Sequence, residues 1–151
     1  MALKGDRHEL QVDLHFFCNT AGNRGGIVSI VTGGSGASMD QSLAVVGYQG
    51  YSSGALPIGL QLQDVVSIDQ TRQHINFHRD EVQVGSKIAI LRKGYVVTDQ
   101  VVGSPTAGQL AYLSSSGTVN ASQVGVAVNP PVGQWLSSKD ADGYATLSVN
   151  L

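Results

Sequence analysis

Turn signals recur along this chain at intervals of about 8–12 residues, and this rhythm restricts the possible folds more than any other feature. Glycine makes up 19 of the 151 residues, and the turn segments combine it with Ser, Asn, Asp and Pro, the residues that tight turns favour. The runs between the turns are short and rich in Val, Ile, Leu and Tyr. No stretch keeps the 3.6-residue period of an amphipathic helix. The spacing therefore predicts an all-β fold.

The length suits one domain. We predict a compact barrel-like or sandwich-like domain over residues 26–151, preceded by an extended N-terminal arm and loop over residues 1–25. Two segments that begin Pro, β-branched residue, Gly, at Pro57 and Pro131, indicate two comparable strands that start at proline. The strands are expected at residues 27–31, 43–48, 56–66, 87–92, 95–102, 109–113, 124–128, 132–136 and 144–149, with hairpin turns at residues 93–94 and 140–143.

The charge pattern excludes several partners. Charged residues make up 13% of the chain and the net charge is −2, while a nucleic-acid interface needs a basic stripe that this sequence lacks. No apolar run approaches the roughly 18–20 residues of a membrane span, and the first residues form no secretory signal. We therefore expect a soluble protein made in a reducing cytoplasm. Cys18 has no partner for an internal disulfide and is predicted to be a buried apolar residue.

Residues 10–16 alternate strictly between apolar and polar side chains, which indicates a half-buried strand. A polar tail, residues 1–9, precedes it. Either this strand is an arm that adds to a sheet edge on a neighbouring molecule, or it is an ordinary edge strand of its own fold. As an arm, its contacts would be Leu10, Val12, Leu14 and Phe16.

The histidines of residues 70–85 raise the question of a metal site. On a helix, His74, His78 and Glu81 could share one face and bind zinc. However, Ile75 and Phe77 alternate with the polar residues, which indicates a strand, and a strand separates the two imidazoles by roughly 13 Å. The segment is instead predicted to be a polar contact face for a protein partner, formed by Arg72, His74, Asn76 and His78.

No other motif indicates catalysis. The glycine-rich residues 32–38 lack the lysine of a phosphate-binding loop. Residues 140–143 resemble part of a calcium loop without its remaining oxygen ligands, and Asp142-Gly143 is typical of a hairpin turn. His15 and Cys18 would face opposite sides of a strand. We therefore predict no catalytic residue, no metal, no cofactor and no enzymatic activity.

The C-terminal half resembles a known group of proteins. Residues 103–113 (GSPTAGQLAYL), 131–136 (PVGQWL) and 142–149 (DGYATLSV) resemble the decoration, or cement, proteins of tailed-bacteriophage capsids, and residues 70–85 and 87–94 fit the same group. The resemblance implies a jelly-roll or tulip-like β fold on the exterior of the virion, made in the host cytoplasm. It also implies an oligomer, with a homotrimer preferred to a dimer, that bridges neighbouring major capsid proteins to stabilise the shell.

Two alternatives come from other functional classes. The first is a β-sandwich receptor- or carbohydrate-binding module of a phage tail or fibre, whose aromatic side chains would stack on sugar rings. The second is a zinc hydrolase built on His74, His78 and Glu81. The aromatic residues of the first alternative are Tyr48, Tyr51, Tyr95, Tyr112, Trp135 and Tyr144.

Overall fold

The computed structural model describes residues 3–34, 45–50, 54–67, 81–123 and 129–151. Within these ranges the regular structure consists of thirteen β-strands and one short 3-10 helix, Ser115–Gly117. The all-β prediction is thus confirmed. The strands are β1 (His8–Asp13), β2 (Phe17–Cys18), β3 (Ile27–Thr32), β4 (Val45–Gly47), β5 (Pro57–Gln61), β6 (Asp64–Val66), β7 (Glu81–Gln83), β8 (Ile90–Thr98), β9 (Val101–Val102), β10 (Leu110–Leu113), β11 (Val119–Asn120), β12 (Pro131–Trp135) and β13 (Ala145–Asn150).

Eleven of these strands belong to one mixed sheet. Its order is β2-β4-β3-β5-β8-β13-β12-β10-β11-β9, and β1 pairs with β8 beside this path. Two pairs, β2 with β4 and β9 with β11, are parallel. Strands β6 and β7 form a separate parallel pair. The path does not close on itself in the part of the chain that the structure describes, so a closed barrel is not formed there.

Strand β8 connects the two halves of the sheet. At its start, Leu91 pairs with Leu60 of β5 on one side and with Val12 of β1 on the other. From Lys93 onward β8 pairs with β13 instead of β5, while β1 continues along the opposite edge. A strand has only two hydrogen-bonding edges. Strands β5 and β13 therefore share one edge of β8, and β1 covers the other.

The predicted hairpin at residues 93–94 is wrong, because β8 runs through Lys93 and Gly94 without a turn. Gly94 serves the close approach of β1 instead. A Cβ at this position would overlap the carbonyl oxygen of His8 and would lie 3.3 Å from the Cα of Glu9. The glycine that suggested a turn thus marks the place where another strand comes unusually near.

The central strands are buried on both faces. Ile27 and Val28 are consecutive in β3, and Ile90 and Leu91 are consecutive in β8, yet all four are fully buried. Successive strand residues point to opposite faces of a sheet, so one member of each pair enters a different core. The first core contains Leu3, Ile27, Ala55, Leu60, Leu62, Leu91, Val96, Val101, Ala111, Leu113, Val119, Val132, Trp135, Ala145, Leu147 and Val149. The second core contains Phe16, Cys18, Val28, Val46, Val65, Ile88 and Ile90.

Several local predictions agree with this arrangement. Strands β12 and β13 form the predicted antiparallel hairpin, and Gly143 in its turn has φ +88°. Both β5 and β12 begin at their prolines, Pro57 and Pro131. The predicted strand at residues 56–66 divides into β5 and β6. The predicted strand at residues 124–128 lies outside the described residues.

Candidate interaction surface

The predicted contact residues have different locations. Leu10, Val12 and Leu14 are exposed to 63%, 38% and 60% of their surface, whereas Phe16 is 7% exposed and packs in the second core. The strand ends at Asp13, so the half-buried strand predicted over residues 10–16 is wrong in its bounds and in its burial. The other predicted contacts, Arg72, His74, Asn76 and His78, lie outside the described residues.

Strand β1 presents nearly all its side chains to solvent. Every residue of β1 is exposed except Asp13, which is half-buried. The ladder to β8 is irregular at two places: Leu10 has no partner between Glu9 and Gln11, and Arg92 has none between Lys93 and Leu91. Such bulges interrupt strand pairing and are common at sheet edges. Leu10, the most exposed apolar residue of β1, is thus also the unpaired residue of a bulge.

The residues before β1 are fixed to the rest of the chain. The Leu3 side chain is 1% exposed and belongs to the first core, and Leu3 forms a β-bridge with Thr98. The backbone N–H of Lys4 donates to the Val97 carbonyl at 2.9 Å. We call residues 3–13 the arm. The sequence left open whether this segment adds to a sheet on a neighbouring molecule or is an edge strand of its own fold. In the structure, the arm pairs with β8 of its own chain.

Lys4 makes a second contact between the arm and the last hairpin. Its Nζ lies 3.3 Å from an Oδ2 of Asp140 and 4.4 Å from the ring centroid of Tyr144. The hydrogen bond from the Tyr144 N–H lowers the pKa of Asp140, and the Lys4 ammonium adds to this effect. Because both partners are exposed, the ion pair contributes little to the free energy of folding, and its main effect is to fix the position of the arm.

A second exposed area is the outer face of the sheet beside β1. Residues directly opposite each other on paired strands point to the same face, so the register places five side chains in one row across five strands. This row is Leu110, Gln134, Ser148, Tyr95 and His8. A shallow groove of about 420 Å³ crosses part of it, lined by Leu110, Pro131, Gly133, Gln134, Ser148 and Asn150. Among the residues that the structure describes, none that lines this groove is charged.

A smaller cleft of about 350 Å³ lies near Tyr48, and is lined by Thr20, Ala21, Gly22, Asn23, Tyr48, Gln100 and Ser116. The Tyr48 ring packs against three glycines, Gly22, Gly26 and Gly117, where any Cβ would collide with the ring. Its hydroxyl donates to the Asn23 carbonyl. Burial raises the pKa of Tyr48 above its ordinary value, with further contributions from nearby Cys18 and Asp64. Tyr48 therefore closes the cleft as a neutral, structural group.

This arrangement predicts a loss of stability at high pH. Folded Tyr48 keeps its proton above pH 10, where the unfolded chain loses it, so the free energy of unfolding should fall by about 1.4 kcal/mol per pH unit beyond that point. Below pH 10 the tyrosine is neutral in both the folded and the unfolded state, so it adds no pH dependence to the free energy of unfolding. Denaturant unfolding of the wild type and Tyr48→Phe at pH 9 to 11 measures this contribution. The advantage of the wild type should shrink above pH 10, and parallel pH profiles would disprove the assignment.

The described residues contain little that resembles a catalytic centre. No group of three His, Cys, Asp or Glu side chains in these ranges lies close enough to bind a metal ion. Cys18 is fully buried, as predicted, and burial raises the pKa of its thiol. The His15 Nδ1 lies 2.8 Å from Asp13 Oδ1 within a local turn. Hydroxyls, amides and backbone groups line the groove and the cleft, but carboxylates, imidazoles and amines do not.

The aromatic residues of the sugar-binding alternative are dispersed. Trp135 is fully buried and Tyr144 lies beneath the Lys4 ammonium, while Tyr51 lies outside the described residues. Tyr95 is 44% exposed on the outer face, and Tyr112 is half-buried there. Three strand spacings separate β8 from β10, which places the backbones of Tyr95 and Tyr112 roughly 14 Å apart, so the two residues are not neighbours in the sheet.

Sequence reasoning named Leu10 and Leu14 as contact candidates but predicted a half-buried strand there, and it missed Leu3 and the outer face. Leu3 stands alone in a polar segment, so no periodicity marks it as a core residue. The alternation in residues 110–113 and 95–98 could have indicated outward-facing Leu110 and Tyr95. Which strands lie side by side depends on long-range pairing, which alternation does not encode.

Comparison with known proteins adds no assignment. No protein-family model matches this chain, and no curated protein matches it. The part of the chain that the structure describes holds no helix with the length and apolar character that a membrane crossing requires. The exposed residues of β1 and the outer face of the sheet are therefore the features that bear on function.

Proposed function

We propose that this protein is a capsid decoration protein that binds the exterior of a tailed-phage head and bridges neighbouring major capsid proteins. The observation that supports this most is the exposed apolar edge formed by Leu10 and Val12 of β1 and by Leu14, which follows β1. Exposure of these apolar side chains to water costs free energy, and burial against a partner would remove that cost. The resemblance of residues 103–113, 131–136 and 142–149 to decoration proteins supports the same function.

The proposed role needs several moderate interfaces instead of one deep pocket. A specific interface buries about 1,600 Å² in total, and the uncharged groove and the β1 edge are both broad and shallow. An oligomer that grips several shell subunits gains further through effective concentration. A homotrimer is preferred to a dimer, because three copies would engage three capsid subunits. Binding to the assembled shell alone would stabilise that shell by mass action.

We also propose that the fold is sandwich-like. The first core lies on one face of the central strands β3, β5 and β8, and the second core lies on the other. The C-terminal strands, which continue from β8 through β13, contribute Ala111, Val132 and Leu147 to the first core. A sheet that folds over its own face in this way produces two packed layers.

A second candidate is a receptor- or carbohydrate-binding module of a tail or fibre. The exposure of Tyr95 on the outer face favours it, because an exposed aromatic ring beside polar groups can stack on a sugar. The location of the protein in the virion separates the two candidates. Cryo-electron microscopy of the particle should find it on the head, and density on the tail or fibre would support the second candidate.

Substitution of Leu10 tests the apolar edge directly. Leu10→Asp places a charge where an apolar contact is proposed, and loss of a buried leucine alone costs about 1.5–3 kcal/mol, or roughly 10–100-fold in affinity. We expect at least a tenfold weaker attachment to heads that lack the protein, measured by co-sedimentation. Because Leu10 is 63% exposed and unpaired in a bulge, the fold should tolerate the change.

Leu56→Asp is the matched control. Leu56 is 65% exposed, close to the exposure of Leu10, but precedes β5 at a different place in the sheet. The control should bind heads like the wild type. Equal binding by both variants would show that the β1 edge does not contact the shell.

A further inference from the structure

The arm, residues 3–13, combines a firmly buried end with an exposed middle. Leu3 is buried in the first core, and Lys4 contacts Val97, Asp140 and Tyr144. Residues 5–12 are all exposed, so β1 contacts its own chain mainly through the backbone ladder to β8. The arm therefore docks on β8, on the β12–β13 hairpin and, through Leu3, in the first core.

The body of the domain begins again at Phe16, which is buried in the second core. Only two residues, Leu14 and His15, connect it to the arm. Leu14 and His15 form no regular structure, and Asp13 Oδ1 accepts the His15 N–H at 3.0 Å. A short connection between a well-anchored body and a separately docked strand is the geometry in which subunits exchange elements.

We infer that the protein assembles with further copies of itself by exchanging this arm. In the assembly, the arm of one subunit lies on β8 of the next, with Leu3 in the neighbour's first core and Lys4 beside the neighbour's Asp140 and Tyr144. The partner is a second copy because the docking site is already complementary to this segment. Each contact described within one chain is kept between chains, and only the two-residue connection, Leu14 and His15, must change its path.

The exposure of Leu14 supplies a reason for exchange. Within one chain, Leu14 remains 60% exposed and contributes little to folding. In the exchanged assembly, the connecting segments of neighbouring subunits cross near each other, and Leu14 gains surface to pack against. The arm spans roughly 35 Å of extended chain, and its transfer provides a large part of the roughly 800 Å² that each partner in a stable interface buries.

This inference deepens the proposed function, because it states how the oligomer of the decoration protein is held together. If each arm docks on the following subunit, the exchange forms a closed ring with three subunits as well as with two. It also places Leu10 and Leu14 at the subunit boundaries. That position brings the β1 edge of one subunit next to the outer face of its neighbour.

A disulfide trap distinguishes exchanged from unexchanged arms. His8 and Tyr95 are directly opposite each other on β1 and β8, and both are exposed. Opposite residues in an antiparallel pair have Cα atoms about 4.5–5.5 Å apart, within the range that a disulfide spans. The double variant His8→Cys with Tyr95→Cys is oxidised at high protein concentration and analysed by denaturing, non-reducing electrophoresis. We expect more than half of the chains in covalent dimers or trimers.

The matched control is Gln134→Cys with Ser148→Cys. These residues are opposite each other on β12 and β13 of the same face, and their crosslink stays within one chain whatever the arm does. The single variant His8→Cys shows whether random crosslinking occurs. Cys18 is fully buried and is present in every variant.

An oligomer whose chains carry only internal crosslinks would overturn the exchange, and so would a protein that stays monomeric at all concentrations. Neither result depends on phage heads, so the exchange can fail while attachment to heads stands. Conversely, covalent oligomers that never bind heads would support the exchange and overturn the proposed function.

Discussion

Gly133→Ala should lower the free energy of unfolding by about 3 kcal/mol, because the new methyl group has no space. A Cβ on Gly133 would overlap the carbonyl oxygen of Ser148, and it would lie 2.9 Å from the Ser148 carbonyl carbon and 3.2 Å from the Val149 Cα. All three atoms belong to the backbone of β13, which cannot rotate away like a side chain. Strand β12 would have to separate from β13 and withdraw Val132 and Trp135 from the first core.

Urea unfolding followed by the fluorescence of Trp135 measures this effect directly, because the single tryptophan lies at the end of the affected strand. Gly33→Ala is the control, because no atom of the described residues lies within 4 Å of its Cβ position. That variant should be as stable as the wild type or slightly more stable, since alanine restricts the unfolded chain. If the two variants unfold at the same urea concentration, the close approach of β12 and β13 is incorrect.

Gly133 also shows how far sequence reasoning reached. The sequence similarity between residues 57–59 and 131–133 predicted two comparable strands that start at proline, and both strands begin there. In each, the glycine lies where a neighbouring backbone is near: a Cβ on Gly59 would be 2.6 Å from the Leu91 carbonyl oxygen. The local pattern predicted the strand starts. The hairpin pattern also predicted β13 as the neighbour of Gly133. The neighbour of Gly59, β8, depends on pairing across about thirty residues of sequence and could not be predicted.

The same limit applies to the arm. Alternation in residues 10–16 predicted a strand with an apolar face, and β1 is a strand, but its position on the edge of β8 leaves that face exposed. Phe16 departs from the pattern because β1 ends at Asp13 and the chain beyond it enters the second core. Alternation reports which residues share a face. Whether another layer covers that face is decided by the packing of distant segments.

Gly94→Ala should release the arm. The methyl group would overlap the His8 carbonyl oxygen, and Gly94 pairs with Glu9 at the bulge where β1 is already irregular. Strand β8 cannot give way, since β13 pairs with it on the other edge. The arm carries exposed side chains between Leu3 and Asp13, so moving it away relieves the overlap more easily than shifting β8. We expect a loss of about 2–3 kcal/mol in the free energy of unfolding.

Trypsin offers a direct test of this release, because Lys4 and Arg7 both lie in the arm. In the wild type, the ladder to β8 and the contacts of Lys4 should slow cleavage there, whereas Gly94→Ala should lose its first seven residues at least tenfold faster, as followed by mass spectrometry. Gly5→Ala is the matched control within the arm, since nothing lies within 4 Å of its Cβ position. Equally slow cleavage in all three proteins would mean that β8 accepts a side chain at residue 94.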